Sequence, residues 1–166
     1  QTAAGEIIIH GGDNGIVSVT GTATATNDHG TGGKVDVLGE KVGLFDDATI
    51  DVSGSTGGGE IHIGGDYQGQ GDRQTASRTY IGSNVTLKAN ATDTGDGGTI
   101  ITWADETTQY YGYLEAKGGL NGGDGGFAEV SGKEKLAFHG TADLTGDTNG
   151  TLLLDPRDIT IVAGVD

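Results

Sequence analysis

The stretch Gly58-Gly59-Glu60-Ile61-His62-Ile63 joins a glycine pair to a short strand in which apolar and polar residues alternate. The chain contains six such glycine-led strands, and the other five begin at Gly5, Gly32, Gly97, Gly125 and Gly150. Measured at the last glycine of each, successive strands are separated by 28, 26, 39, 28 and 24 residues. Repeats of this length indicate a solenoid, in which each turn buries its apolar face by stacking on its neighbours.

Each glycine-led strand is followed by a second strand whose apolar residues are two positions apart. We align their inward positions as Val17/Val19, Ile50/Val52, Leu87/Ala89, Leu114/Ala116 and Ala142/Leu144. The residues between them are polar, so the alternation places one set inside and the other in water. Bulky apolar pairs form a third, short side of the coil; they are Leu44-Phe45, Tyr80-Ile81, Tyr110-Tyr111 and Ala137-Phe138.

Three strands and three corners in roughly 26 residues predict an all-β parallel β-helix, or β-solenoid, of about six coils. Residues 1–166 form one module, and the long 39-residue step holds an inserted loop at residues 64–78. The main alternative is an antiparallel sandwich, which needs hairpins with two-residue turns. No segment has the apolar spacing of a helix, so no capping helix is predicted.

The composition limits both the core and the partners. Only 33% of the 166 residues are apolar and 5% are aromatic, so the core must be thin and built from small and β-branched side chains. The chain has no cysteine and therefore no disulfides. Its net charge of −15 disfavours nucleic acid and anionic lipid as partners. No apolar run is long enough to insert into a membrane.

The ends of a β-helix expose unpaired strand edges, which natural proteins cover with a capping element. Because the sequence shows no such element, we expect the chain to belong to a longer repetitive protein. The expected partners are then neighbouring modules, or copies of the chain itself, stacked end to end.

Five residues are candidates for a contact surface. Insertions in solenoids map to loops on one face, where binding often resides, and the inserted loop carries Tyr67, Arg73 and Arg78. Trp103 and Tyr113 lie close in sequence and could stack against sugar rings if they share an outer face. Host or matrix glycans are therefore candidate ligands. Packing of these side chains within the fold is the alternative for each.

Asp96 and Asp124, within glycine-rich corners, are weak candidates for calcium ligands. A stacked calcium site needs such aspartates at nine-residue intervals, whereas these two are 28 residues apart. A tight corner in which each aspartate accepts a backbone N–H bond is the simpler interpretation. No other metal, no cofactor and no catalytic residue is predicted, because scattered carboxylates do not form the paired groups of an acid–base site.

Four segments resemble the repeat modules of filamentous-haemagglutinin-like bacterial adhesins. They are Gly64–Gly71 followed by Thr79–Gly82, Asp96–Asp105, Gly122–Gly132 and Leu153–Ile161. The resemblance covers about two thirds of the chain. It implies a right-handed parallel β-helix in an exoprotein of the two-partner secretion type, secreted or held at the bacterial cell surface. It also implies attachment, aggregation or biofilm cohesion as the role, with no enzymatic activity.

The sequence therefore predicts a structural and adhesive module of a large extracellular bacterial protein. Two alternatives stay open. One is a self-stacking extracellular filament subunit. The other is a polysaccharide-active β-helix enzyme, for which outward carboxylates and the arginines Arg73, Arg78 and Arg157 would have to form a cleft.

Overall fold

A computed structural model describes residues 4–158, which contain sixteen β-strands wound into three parallel sheets. Sheet A contains the six glycine-led strands. They are β1 (Glu6–His10), β4 (Lys34–Leu38), β7 (Glu60–Ile63), β10 (Thr99–Ala104), β13 (Phe127–Gly132) and β16 (Thr151–Leu153). Each pairs with the strand one coil away, so the whole sheet is stacked along the solenoid axis.

Sheets B and C form the other two sides of the coil. Sheet B consists of β2 (Ile16–Val19), β5 (Lys41–Leu44), β8 (Arg78–Ile81), β11 (Thr107–Tyr110) and β14 (Lys135–Phe138). Sheet C consists of β3 (Thr22–Thr24), β6 (Thr49–Asp51), β9 (Thr86–Lys88), β12 (Tyr113–Glu115) and β15 (Thr141–Asp143).

The chain visits the three sheets in the order A, B, C and then repeats. The described residues complete five coils, and β16 opens a sixth, against about six coils expected from the sequence. All strand pairings between 4 and 158 are parallel, which confirms the β-solenoid and excludes the sandwich.

Glycine leads each sheet A strand because the coils approach most closely at that corner. A Cβ atom added to Gly59 would overlap the carbonyl oxygen of Gly33, one coil earlier. The same overlap recurs between Gly98 and Gly59, and between Gly126 and Gly98. Any side chain here would push successive coils apart. The glycine repeat therefore encodes the stacking distance of the solenoid.

The core consists of columns of side chains in register. In sheet C, Ile50, Leu87 and Leu114 stack on one another and have no exposed surface. In sheet A, Ile61 and Ile100 form part of an equivalent column. Burial of one such side chain stabilises the fold by about 1.5–3 kcal/mol. Because each column is shared between coils, a coil gains this burial only from its neighbours.

One strand assignment from the sequence is wrong. The alignment placed Val17 with Ile50, whereas the structure places Val17 beside Val42 in sheet B. The residue beside Ile50 in sheet C is Ala23, from the short strand β3. Both segments alternate apolar and polar residues, so periodicity alone did not distinguish the two sides of the first coil.

Helical structure in the described part of the chain is limited to one 3-10 turn, Tyr67–Gly69, between β7 and β8. Over the same residues there is no helix with the length and apolarity needed to cross a lipid bilayer. Departures from the regular coil are therefore concentrated in the segment that contains this turn.

Candidate functional site

The segment between β7 and β8 crosses the outer face of sheet A along the solenoid axis. Residues 64–77, here called the strap, contact both early and late coils. Near one end, the Gln74 side-chain amide donates to the carbonyl oxygen of Gly12 in the first coil, at 3.3 Å. Near the other, the backbone N–H of Gln68 donates to Glu129 Oε2 on β13, at 3.0 Å. The strap therefore joins the first coil to the fifth.

Beneath the strap, charged groups from three segments meet. Asp36 on β4 and His62 on β7 are in register on the outer face of sheet A, and both are buried. The Arg73 side chain donates from Nε to Asp36 Oδ2 at 2.8 Å, and from Nη1 to Asp66 Oδ1 at 2.5 Å. Arg73 therefore acts as an internal anchor of the strap. It is not a free contact residue.

His62 is held neutral within this cluster. Burial lowers the pKa of its imidazole, and the positive charge of Arg73 adds to the effect, against the opposing carboxylates of Asp36, Asp66 and Glu60. Its Nδ1 lies 3.2 Å from Asp36 Oδ1, but the angles do not make a hydrogen bond, and both atoms are buried without one. The site therefore disfavours a second positive charge beside Arg73.

Glu129 is a fully buried carboxyl group under the far end of the strap. Burial raises its pKa, with the nearby Asp155 charge contributing, although the backbone N–H of Gln68 and the Ser131 side chain favour the ionised form. Its Oε1 atom has no hydrogen-bond partner. The Gln68 side-chain amide extends the contact by donating to Asp155 Oδ2 at 3.1 Å.

Trp103, on β10, also lies under the strap, and only 5% of its surface is exposed. Its indole Nε1 donates to Asp105 Oδ1 at 2.9 Å. Gly69 of the strap sits directly against the ring: a Cβ atom there would be 2.5 Å from the indole, and its φ of +65° also favours glycine. The shared outer face on which Trp103 and Tyr113 were expected to stack against sugar rings is therefore not formed.

A groove of about 830 Å³ opens beside the strap. Tyr67 stands at its edge, 47% exposed, and its ring meets Phe127 edge-on at a centroid distance of 5.8 Å. His10 and His62 both line the groove but occupy different columns, because His10 pairs with Leu38. Of the two predicted contact residues in the strap, Tyr67 is therefore exposed to solvent, whereas Arg73 is held by Asp36 and Asp66.

Arg78 belongs to sheet B and faces outward on the open side of the solenoid. It lies in register between Lys41 and Thr107, and Lys135 follows one coil further. Its Nε is 3.4 Å from Glu106 Oε2, and both side chains are largely exposed, so this pair adds little to stability. Lys41, Arg78, Thr107 and Lys135 are called the basic column below.

Beside the basic column runs a stack of four aromatic rings, one per coil, called the aromatic ladder. The ladder consists of Phe45, Tyr80, Tyr111 and His139. Successive ring centroids are 5.3, 5.8 and 5.4 Å apart. A parallel strand would place one member of each bulky pair inward and the other outward. Tyr110 accordingly packs in the core against Phe138, while Tyr111 points out.

Tyr113 lies on sheet C, on a different side of the coil from both the strap and the ladder. Its hydroxyl donates to Glu115 Oε2 at 2.9 Å, and Asn90 donates to Glu115 Oε1 at 2.7 Å. Lys117 Nζ is 2.8 Å from the same carboxylate. Burial and the hydrogen bond to Glu115 raise the pKa of Tyr113 to about 12. Its phenol is therefore committed to this local network.

The calcium candidates stack at one corner of the coil. Asp96 Oδ1 accepts the backbone N–H of Asp124 at 2.8 Å, and Asp124 Oδ1 accepts that of Thr148 at 2.9 Å. Each aspartate thus accepts a hydrogen bond from the next coil, as expected for a tight corner. Within residues 4–158, no three His, Asp or Glu side chains are grouped to hold a metal ion.

Two structural features were not predicted from the sequence. Phe45, Tyr80 and Tyr111 of the aromatic ladder belong to the bulky apolar pairs, and strand alternation was the available signal that one member of each pair faces out. His139 belongs to none of these pairs and follows Phe138. The Asp36–His62 contact had a weaker signal. Both residues are the third member of a glycine-led strand, so register between coils would place them together.

Comparison with solved structures finds similarity to the HMW1 secretion domain from Haemophilus influenzae, with a TM-score of 0.77 and 30% sequence identity. The match covers 92% of this chain and 39% of that structure, so this chain spans about two fifths of the length of its match. No protein-family model and no curated protein matches the sequence. The chain is therefore similar, in fold and in nearly a third of its residues, to part of a bacterial secretion domain.

Proposed function

We propose that the chain is a β-solenoid module of a large bacterial exoprotein and forms part of the domain that directs its secretion. The observation that carries the proposal is the match to the HMW1 secretion domain over 92% of the chain. The resemblance of four sequence segments to filamentous-haemagglutinin-like adhesins supports the same class. The module would act outside the cell or at the bacterial surface, and the proposal assigns no reaction to it.

The solenoid is suited to export because its coils can fold without distant segments of the chain assembling first. Each coil gains its core from the coil before it, so structure can propagate along the chain as it emerges. No disulfide is required, since the chain contains no cysteine. The strap then couples distant coils, because it contacts Gly12 in the first and Glu129 in the fifth. The result is one unit from which further coils, or another copy, can continue.

The test is an in-frame deletion of residues 4–158 from the gene of the full exoprotein. We expect the protein to be lost from the medium and cell surface and to accumulate, or be degraded, in the periplasm. A control variant, Leu120→Ser, changes an exposed residue outside the core and the strap contacts and should be secreted at the normal level. Secretion at the normal level after the full deletion, with only attachment reduced, would contradict a role in secretion and favour an adhesive shaft.

A further inference from the structure

The outer face of sheet B forms an open groove of about 500 Å³ that extends from Ile16 in the first coil to Lys135 in the fifth. Its lining includes Lys41, Arg78 and Lys135, and it includes no Asp or Glu. The whole chain has nine Lys and Arg residues against 24 Asp and Glu, so a third of its positive side chains line this one groove. The groove is a positive site on an acidic protein.

The cations of the groove are available to a ligand. Within the described chain, neither Lys41 nor Lys135 has a carboxylate within ion-pair distance, and both residues are exposed. Arg78 has only the loose, exposed pair with Glu106. The remaining negative charge of the protein does not prevent binding of an anion. At physiological salt, exposed charges more than about 8 Å away are largely screened, so binding depends on the groove's cations and on the carboxylates at its margin, such as Glu106.

The aromatic ladder adds a second, independent feature along the same axis. Phe45 and Tyr80 line the groove itself, and Tyr111 and His139 continue the stack. Gly43 makes room for this arrangement: a Cβ atom there would overlap the ring of Phe45. The absence of a side chain at Gly43 leaves room for the Phe45 ring, which stacks on Tyr80 with the ring planes 22° apart.

The two features share one spacing. Parallel strands repeat about every 4.8 Å along the axis, so the groove presents a ring in the second and third coils and a cation in the second, third and fifth, at multiples of that interval. A matching ligand must present apolar surface and a negative charge at a similar interval. Pyranose units have apolar faces that pack on aromatic rings, and uronic acid units add one carboxylate each. A flexible acidic peptide supplies the charge but not the regular rings.

We propose that this groove binds a linear polysaccharide of uronic acid units, laid along the solenoid axis. Its sugar rings contact the parts of Phe45 and Tyr80 that remain exposed beside their stacked faces, and its carboxylates meet Lys41, Arg78 and Lys135. This site is separate from the strap and from the secretion role, so either proposal can fail without the other.

The experiment is calorimetric titration of the purified chain with a short galacturonic acid oligomer. Two probes separate the ligand's features: a neutral cellulose oligomer of equal length has rings without charge, and polyglutamate has charge without rings. We expect the uronic acid oligomer to bind best and its affinity to fall with salt. Tyr80→Ala should weaken binding about tenfold, since one aromatic contact is worth about 1.4 kcal/mol. The double variant Lys41→Gln/Lys135→Gln should weaken binding and flatten the salt dependence.

Matched controls lie outside the groove. Tyr67→Ala removes the exposed tyrosine of the strap, and Lys34→Gln removes a lysine of sheet A; neither should change the affinity. Thermal melts confirm that each variant is folded. Equal binding of polyglutamate with no effect of Tyr80→Ala would overturn the proposal, as would equal binding of the neutral oligomer. Absence of binding by all three probes would also overturn it. A change in molecular mass with Tyr80→Ala would identify the groove as a contact between copies instead.

Discussion

The outer faces of sheets A and B have the same strand geometry but differ in how much of their surface is buried. Both are parallel sheets whose outward side chains form columns at the coil spacing. On sheet A, the strap covers part of the outer face and buries Asp36, His62, Trp103 and Glu129, whereas Ile8 in the first coil stays exposed. On sheet B nothing within the described residues covers the columns, and the basic column and aromatic ladder remain open.

The difference shows how one insertion covers one side of a solenoid and leaves another side open. Under the strap, charges are fixed by short contacts, as between Arg73 and Asp36 at 2.8 Å. On sheet B the nearest equivalent, Arg78 with Glu106, is longer and solvated. Substitutions under the strap should therefore change stability, and those on sheet B should change binding.

The largest difference is expected for the aromatic residues. Trp103→Ala should lower the free energy of unfolding by about 3–5 kcal/mol, because it removes a large ring packed under the strap. Tyr80→Ala should lower it by only about 1 kcal/mol, since the ring lies on an open face. Urea unfolding followed by circular dichroism measures both. Equal losses would show that the two faces are not differently buried.

The arginines give the next largest effect. Arg73→Ala should cost about 2–3 kcal/mol, because Asp36 stays buried without its charged partner. Arg78→Ala, the matched change on sheet B, should cost less than about 1 kcal/mol. The same unfolding measurement applies. A loss for Arg78→Ala as large as that for Arg73→Ala would contradict the assignment of Arg73 as the strap's anchor.

A smaller effect depends on pH. Because the pKa of His62 is lowered in the folded protein, the unfolded chain takes up a proton first as the pH falls through 6.5. The wild type should therefore lose stability relative to His62→Gln as the pH falls below that value. The loss should stop once the pH is below the pKa of the folded protein. A stability difference that stays constant from neutral to acidic pH would contradict a buried, neutral His62.

The smallest effect is expected at Glu129 and has the opposite sign. Its pKa is raised in the folded protein, so the ionised carboxylate costs stability at neutral pH. Glu129→Gln should therefore be more stable than the wild type near neutral pH, and the gain should disappear as the pH falls towards 4.5. Thermal melts over this range measure the gain. A variant that is less stable at neutral pH would show that the charge is needed to hold Gln68.

The sequence was sufficient for most of the fold because the stacking rule is local. The glycine of each repeat and the two-residue alternation after it are visible in one coil, and they located all six strands of sheet A. The strand assignment in the first coil was wrong for the same reason. Ile16–Val19 alternates like the strands of sheet C, and only its pairing with β5 shows that it belongs to sheet B.

The sites were less predictable because they depend on contacts far apart in the chain. The 39-residue step located the insertion, but nothing local indicates that Gln68 reaches Glu129, 61 residues later. Because the path of the strap was not known, the burial of Trp103 and the internal role of Arg73 could not be inferred. The aromatic ladder was within reach, since strand alternation sends Tyr111 outward whenever Tyr110 is in the core.

The packing of the strap over the outer face of sheet A at Trp103 can be tested directly, because Trp103 is the single tryptophan of the chain. Acrylamide quenching of Trp103 fluorescence should be weak in the folded protein, because only 5% of its surface is exposed. Quenching should become strong when the strap is replaced by a short glycine linker, or when the protein is unfolded. A folded wild-type protein whose tryptophan is quenched as readily as in the unfolded chain would contradict this packing.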